Sequence, residues 1–213
     1  MSLFSILLGG ELTVTPRVAA LSAGARVIAA DSGIRHAAAL GIVPELWVGD
    51  FDSSSADDFE KHRNVPRETF PAAKDKTDGE LAIDIAIARG ASSLLILGAF
   101  GGERADHEFL HLALALRLAE RGFDVTLSSG TQEGRPVLPG AHSFDHAYGT
   151  LFSILGFTDI EGLSIQGAEW PLDRIHMEFG SSLTISNRVA GPLRVSLHAG
   201  RALLVAQTLE QQS

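Results

Sequence analysis

The sequence predicts an α/β protein in two parts: an N-terminal doubly wound, mostly parallel sheet domain followed by a C-terminal all-β sandwich domain. Three observations carry that prediction. Across roughly the first 128 residues, short apolar runs alternate with Ala/Leu/Arg-rich stretches of helical spacing, which is the pattern of βαβ units. After Ser129 the turn residues Gly130, Gly134, Pro136, Pro139 and Gly140 punctuate the chain. Beyond them come only short apolar runs separated by turn residues at intervals of roughly ten, as in sandwiches and barrels.

In order, the first part predicts strands at Leu3–Leu8, Arg26–Ala30, Leu46–Val48, Leu94–Leu97 and Val125–Leu127. Helices are expected at Pro16–Ala23, Ile34–Leu40, Asp78–Arg89 and Asp106–Arg121. The second part predicts strands at Leu151–Leu155, Leu163–Ile165, Ile175–Phe179, Leu183–Ile185, Leu193–Leu197 and Ala202–Val205. The expected division is residues 1–130 and 145–213, with 131–144 as a linker.

Composition narrows the class. The 213 residues carry a formal charge of −9 with no dense basic run, which argues against a nucleic-acid or membrane-surface partner. The chain has no cysteine, so disulfides, thiolate metal sites and a cysteine nucleophile are excluded together. The N-terminus does not read as a secretory signal, and no apolar stretch reaches the ~20 residues of a membrane helix. The expected setting is the reduced cytoplasm.

Chemistry-bearing residues fall where predicted strands end, and parallel sheets bind ligands there. Four loops stand out: Ala30–Asp31–Ser32–Gly33, Gly49–Asp50–Phe51–Asp52–Ser53, Lys74–Asp75–Lys76–Thr77–Asp78, and the run from Gly98 to His107. Asp50, Asp52, Asp75 and Asp78 are hard oxygen donors, suited to Mg²⁺ rather than zinc. The turn at Gly101–Gly102 offers backbone N–H groups to phosphate, and Arg104 a permanently charged fork. These are parts for phosphoryl-type transfer, although neither a P-loop nor a dinucleotide fingerprint is present. Plainer roles coexist: Thr77 and Glu80 fit a capping box, Ser55 a second cap before a solvated helix start at Asp57, Asp58 and Glu60, and Asp31 or Gly33 alone a strand-to-helix turn.

In series, the loops resemble the thiamin pyrophosphokinase family, whose motifs read roughly A-D-G-G, G-D-F-D-S, K-D-x-T-D and G-G-R-x-D-H. Gly167–Ala168–Glu169–Trp170–Pro171–Leu172 is similar to the family's G-x-x-W-x-L, and Ser186–Asn187 to its late S-N pair. The resemblance implies transfer of diphosphate from ATP to the hydroxyl of thiamin, with release of AMP. It implies catalytic roles for Asp50, Asp52, Asp78, Arg104 and Asp106, with Mg²⁺ held by Asp50, Asp52 and Asp78. It implies nucleotide binding by Asp31, Ser32, Gly33, Asp75, Lys76, Thr77, Gly101, Gly102 and His107. Trp170, Ser186 and Asn187 would face thiamin, in a homodimer with the active site at the subunit interface. Two departures bear on the nucleotide: Ser32 stands where the family has glycine, and Glu103 is an extra residue between the glycine pair and Arg104.

Other readings make distinct predictions. A diphosphokinase for another hydroxymethyl heterocycle, such as a pterin, would share the diphosphate loops, and a nucleotide- or thiamin-binding regulator would bind without turnover. His107–Glu108–Phe109–Leu110–His111 matches the H-E-x-x-H zinc signature, but no third ligand follows, and His111 is expected on the apolar helix face with Leu110 and Leu114.

Overall fold

The computed structural model describes residues 2–52, 54–71, 75–102 and 104–208. Ser53, Lys74 and Glu103, named above, lie outside the described residues. The protein is mixed α/β and divides into two compact units. One holds the residues up to Glu108 together with Phe123–Gly130, the other Phe109–Gly122 and the residues from Thr131 onward.

The first unit is built on parallel strands β1 (Leu3–Leu7), β2 (Arg26–Ala30), β3 (Leu46–Gly49), β4 (Arg67–Thr69), β5 (Ser93–Leu97) and β6 (Asp124–Ser128), in the order β6-β5-β1-β2-β3-β4. Continuous apolar runs form β1, β2 and β5 because both faces of a parallel sheet are covered, and Phe4, Ile6, Leu7, Ile28 and Leu97 are fully buried. Helix α1 (Pro16–Ser22) starts where the Thr15 side chain accepts the Val18 N–H and Pro16 supplies a pre-set φ. Asp31–Arg35 forms a 3₁₀ turn that runs into α2 (His36–Leu40), where one helix was expected over 34–40. Helix α3 (Ala56–Lys61) is capped by Ser55, and α4 (Asp78–Ala88) by Thr77. Helix α5 (Ala105–Glu120) begins in this unit, and its remainder clusters with the second. The chain leaves β1 towards β2 on one side, while β5 and β6 lie on the other. The crevice beyond the ends of β1 and β5 is therefore the topological switch point, where such sheets receive ligands.

The second unit is antiparallel. Its strands are β7 (Gln132–Val137), β8 (Gly140–Phe144), β9 (Leu151–Gly156), β10 (Ile160–Ala168), β11 (Leu172–Met177), β12 (Asn187–Leu197) and β13 (Ala202–Gln207). Strand β12 serves two sheets: Asn187 and Arg188 pair with β9, and the rest pairs with β10 and β8. Alternating residues from both sheets, among them Phe152, Ile154, Ile165, Val195 and Leu204, share one buried core.

Three expectations are corrected. Residues 131–144 are not a linker but contain β7 and β8; local Gly and Pro obscured strands held by the distant partners β13 and β12. Leu183–Ile185 is a turn rather than a strand, with Ile185 N–H bonded to Ser182 O and Leu183 N–H to Ser181 Oγ, leaving Leu183 and Ile185 exposed. Asp58 is buried instead of solvated: its carboxylate closes the capping box on Ser55, and Arg35 lies 3.8 Å away. Strand β4, polar and exposed, had no alternating pattern to announce it. Among the described residues, no helix is long and apolar enough to cross a membrane.

Candidate active site

The rim of the first unit is assembled from strand ends. Directly after β2, Asp31 adopts φ +44°, a left-handed conformation unusual for a residue with a Cβ. It is held there from the next strand: buried Trp47 donates its indole N–H to Asp31 O at 2.9 Å. Gly49 completes the fit, since a Cβ at that position would come within 3.3 Å of Asp31 Cα. After β3, Phe51 turns inward at φ +64° and packs edge-on against Trp47 with ring centroids 4.9 Å apart. Anchoring the phenylalanine leaves the flanking Asp50 and Asp52 at the rim. Asp78 is the first residue of α4, where the helix dipole favours a carboxylate.

Oxygens of Asp31, Asp50 and Asp78 all lie within 4.8 Å of one another, and this is the only group of potential metal ligands among the described residues. Asp52 is exposed beside that trio, its N–H bonded to Asp50 Oδ1 at 3.2 Å. Asp50 in the first place, with Asp31 and Asp78 behind it, raises the Asp52 carboxyl above its ordinary pKa. Geometry thus groups Asp31 with Asp50 and Asp78, whereas the expected set was Asp50, Asp52 and Asp78. H-E-x-x-H gathers no metal group among the described residues, and His111 is half-buried as expected.

The glycine turn after β5 is braced against a loop that the sequence reading passed over, Gly9–Gly10–Glu11. Gly10 N–H bonds to Gly98 O at 3.1 Å and Glu11 N–H to Phe100 O at 3.0 Å. The paired glycines after an apolar strand were the available signal. Ser32 turns its hydroxyl towards Gly9, where an added Cβ would stand 2.3 Å from Oγ, so the unusual serine is accommodated by a glycine. Gly33 is equally constrained, with Leu7 O at 2.2 Å from any Cβ.

Other expected residues are more exposed. Arg104 and Asp106 form a two-pronged pair at 2.9 and 2.6 Å, both about 65% exposed, and the guanidinium holds the Asp106 carboxyl far below the usual carboxylate range. Lys76 Nζ meets Asp84 at 2.5 Å, and Asp75 and His107 are exposed. Thr77 and Glu80 do form the reciprocal capping box.

In the second unit Trp170 is 56% exposed. Asn187 is buried and bonded to the Trp170 backbone, so its side chain holds the tryptophan's segment. Ser186 is exposed at φ +64°, its N–H bonded to Ser153 Oγ at 3.0 Å.

Carboxylates gathered beside glycine turns at the ends of parallel strands suit a class, that of α/β transferases working on phosphorylated substrates. Comparison places the chain within it. Residues 19–127 match the family model "Thiamin pyrophosphokinase, catalytic domain" and residues 141–202 match "Thiamin pyrophosphokinase, vitamin B1 binding domain". The chain belongs to the thiamin pyrophosphokinase family. The thiamine pyrophosphokinase of Bacillus subtilis is 28% identical over 169 residues, 76% of this chain and 77% of that one. The crystal structure of the Bacillus subtilis enzyme superposes with a TM-score of 0.86 at 25% identity, covering 98% of this chain and all of that one. The thiamin pyrophosphokinase of Candida albicans shares the fold with a TM-score of 0.81 at 14% identity, over 98% and 89% of the two chains.

Proposed function

We propose that this chain is an ATP-dependent thiamin diphosphokinase. The thiamin hydroxyl oxygen bonds to the β-phosphorus of ATP, the bond from that phosphorus to the α-phosphate oxygen breaks, AMP leaves, and the hydroxyl proton is released. The observation that carries this reading is the gathering of Asp31, Asp50 and Asp78 beside the glycine turns at the switch point, on loops bearing the family's motifs.

The donor set suits Mg²⁺: three carboxylates, all hard oxygen ligands, within reach of one ion. Asp31, Asp50 and Asp78 would hold it, with Asp52 adjacent, and the bound ion would supply neutralisation of the charge on the phosphates. The chain's own groups do the positioning. Gly33, packed on Leu7, and Ser32, turned to Gly9, shape the end of β2 on the nucleotide side, the Gly101–Gly102 turn and Arg104 receive the transferred diphosphate, and Asp106 orients the Arg104 fork. Asp75, Lys76, Thr77 and His107 complete the nucleotide side of the site. In the second unit, a β-sandwich in this proposal, Trp170 offers an exposed aromatic face suited to a cationic heterocycle, and exposed Ser186 is assigned to the same ligand. The enzyme works as a homodimer with its active site at the subunit interface, in the cytoplasm.

AMP formation from ATP and Mg²⁺, with and without thiamin and with product mass read alongside, tests the reaction. Thiamin-dependent AMP together with thiamin gaining a diphosphate is the expected result. Nucleotide binding without thiamin-dependent AMP overturns thiamin as acceptor and moves the search to other hydroxymethyl heterocycles, pterins first. Light scattering checks the dimer.

A further inference from the structure

The turn that follows β5 is fixed at its start by backbone bonds: Gly98 N–H to Ser128 O at 2.9 Å, Gly10 N–H to Gly98 O, and Glu11 N–H to Phe100 O. Its far end is held differently. Gly101 and Gly102 both have positive φ, +67° and +94°, so neither carries a side chain that would restrict the turn. The Gly101 N–H donates instead to Glu108 Oε2, 3.2 Å away on α5, and the Glu11 side chain lies against Gly101 as well: a Cβ there would meet Glu11 Cδ at 2.7 Å. Glu108 is half-buried and is the acid of the H-E-x-x-H run, which no metal group among the described residues uses.

From this geometry we infer that Glu108 is a positioning residue for the nucleotide. It rests on the nucleotide reading of the turn given above and adds a residue to it. By accepting the Gly101 N–H, Glu108 ties the turn to the start of α5 and removes that amide from the phosphate donors. Phosphate is left to the Gly102 end of the turn and to Arg104. The carboxylate acts through Gly101 and does not touch the substrate. Replacing it with alanine frees a permissive glycine pair and should loosen the nucleotide without disturbing the acceptor.

The test is titration of Mg·ATP into wild type, Glu108→Ala and Glu108→Gln by calorimetry, with amide exchange at Gly101, melting temperature, and the KM and kcat of AMP formation measured on the same samples. Loss of one charge-assisted bond should weaken Mg·ATP by about tenfold in Glu108→Ala. Glu108→Gln keeps an acceptor oxygen and should restore both affinity and slow exchange at Gly101. The thiamin KM should stay at its wild-type value in both, while the melting temperature falls in Glu108→Ala by no more than one lost hydrogen bond accounts for and returns in Glu108→Gln. Unchanged affinity in Glu108→Ala overturns the role, and so does tighter binding in both variants, which would make the carboxylate a competitor of phosphate. Wild-type protein that binds no Mg·ATP overturns the nucleotide reading itself, a result distinct from either.

Discussion

Asn187 clamps the backbone of Trp170: its Oδ1 accepts the Trp170 N–H at 3.1 Å, and its Nδ2 donates to Trp170 O at 2.8 Å. Oδ1 also accepts the Arg188 N–H at 2.8 Å, so a buried amide is engaged on both sides while the indole stands exposed. Trp170→Ala should raise the thiamin KM by about tenfold, as cation–π and stacking contacts are worth ~1–2 kcal/mol, and leave the ATP KM near wild type. Asn187→Ala should raise the thiamin KM too and, by leaving part-buried backbone groups unpaired, lower stability by about 1–2 kcal/mol in urea melts. A larger effect on ATP than on thiamin would show that Trp170 serves a different ligand.

Asp31, Asp50 and Asp78 are three like charges within one ion's reach, and Asp52 feels all of them. Asp50→Asn and Asp78→Asn should each lose most turnover while remaining folded. Near-normal rates in both would remove the metal assignment. Mg²⁺ should raise the wild-type melting temperature by binding the native state alone, and that rise should shrink in either variant. Asp31→Asn separates the geometric trio from the expected one: a loss as large as that of Asp78→Asn places Asp31 on the ion.

Much of the first unit was legible because its signals are local. β2, Arg26–Ala30, has the expected bounds, and Thr77 caps α4 with Glu80 reaching back. What was not legible depended on partners distant in sequence. β7 and β8 exist through pairing with β13 and β12, so their Gly and Pro content misled. Leu183 and Ile185 look like a strand until Ser181 and Ser182, just before them, take their backbone hydrogen bonds. At the site, the family resemblance implied Asp50, Asp52 and Asp78 as the metal set and put Asp31 on the nucleotide; the grouping of Asp31 with Asp50 and Asp78 needs a left-handed backbone and the indole of Trp47. Asn187 was expected to face thiamin; only the fold brings its amide to the Trp170 backbone instead.

Gly98 tests the bracing of the two glycine loops. Its φ is +75°, and an added Cβ would lie 2.4 Å from Leu8 O and 3.4 Å from Gly10 O. A left-handed alanine costs about 1–2 kcal/mol and overpacking against backbone about 1–3 more, so Gly98→Ala should lose at least ~2 kcal/mol in urea unfolding. Because the strain falls on Leu8 and Gly10 at the switch point, nucleotide affinity should fall in whatever fraction remains folded. Wild-type stability in this variant would mean that the loops do not approach as closely as the Gly10–Gly98 bond requires.

His36 gives the same region a dependence on pH. Its ring Nε2 lies 2.9 Å from Gly10 O, tying α2 to the first glycine loop. Burial in the first place, with the Arg35 charge adding to it, holds the imidazole's pKa below its ordinary value, and the Gly10 and Leu8 carbonyls only partly oppose this. A histidine with a lowered folded pKa binds protons more readily when unfolded. Its contribution to stability is therefore complete above the unfolded pKa of about 6.5 and is lost as pH falls through the lower folded value. The urea midpoint should accordingly drop between pH 7 and pH 5 more steeply in wild type than in His36→Gln, which retains a donor for Gly10 O and cannot titrate. Parallel curves for the two proteins would show that His36 is not the group responsible.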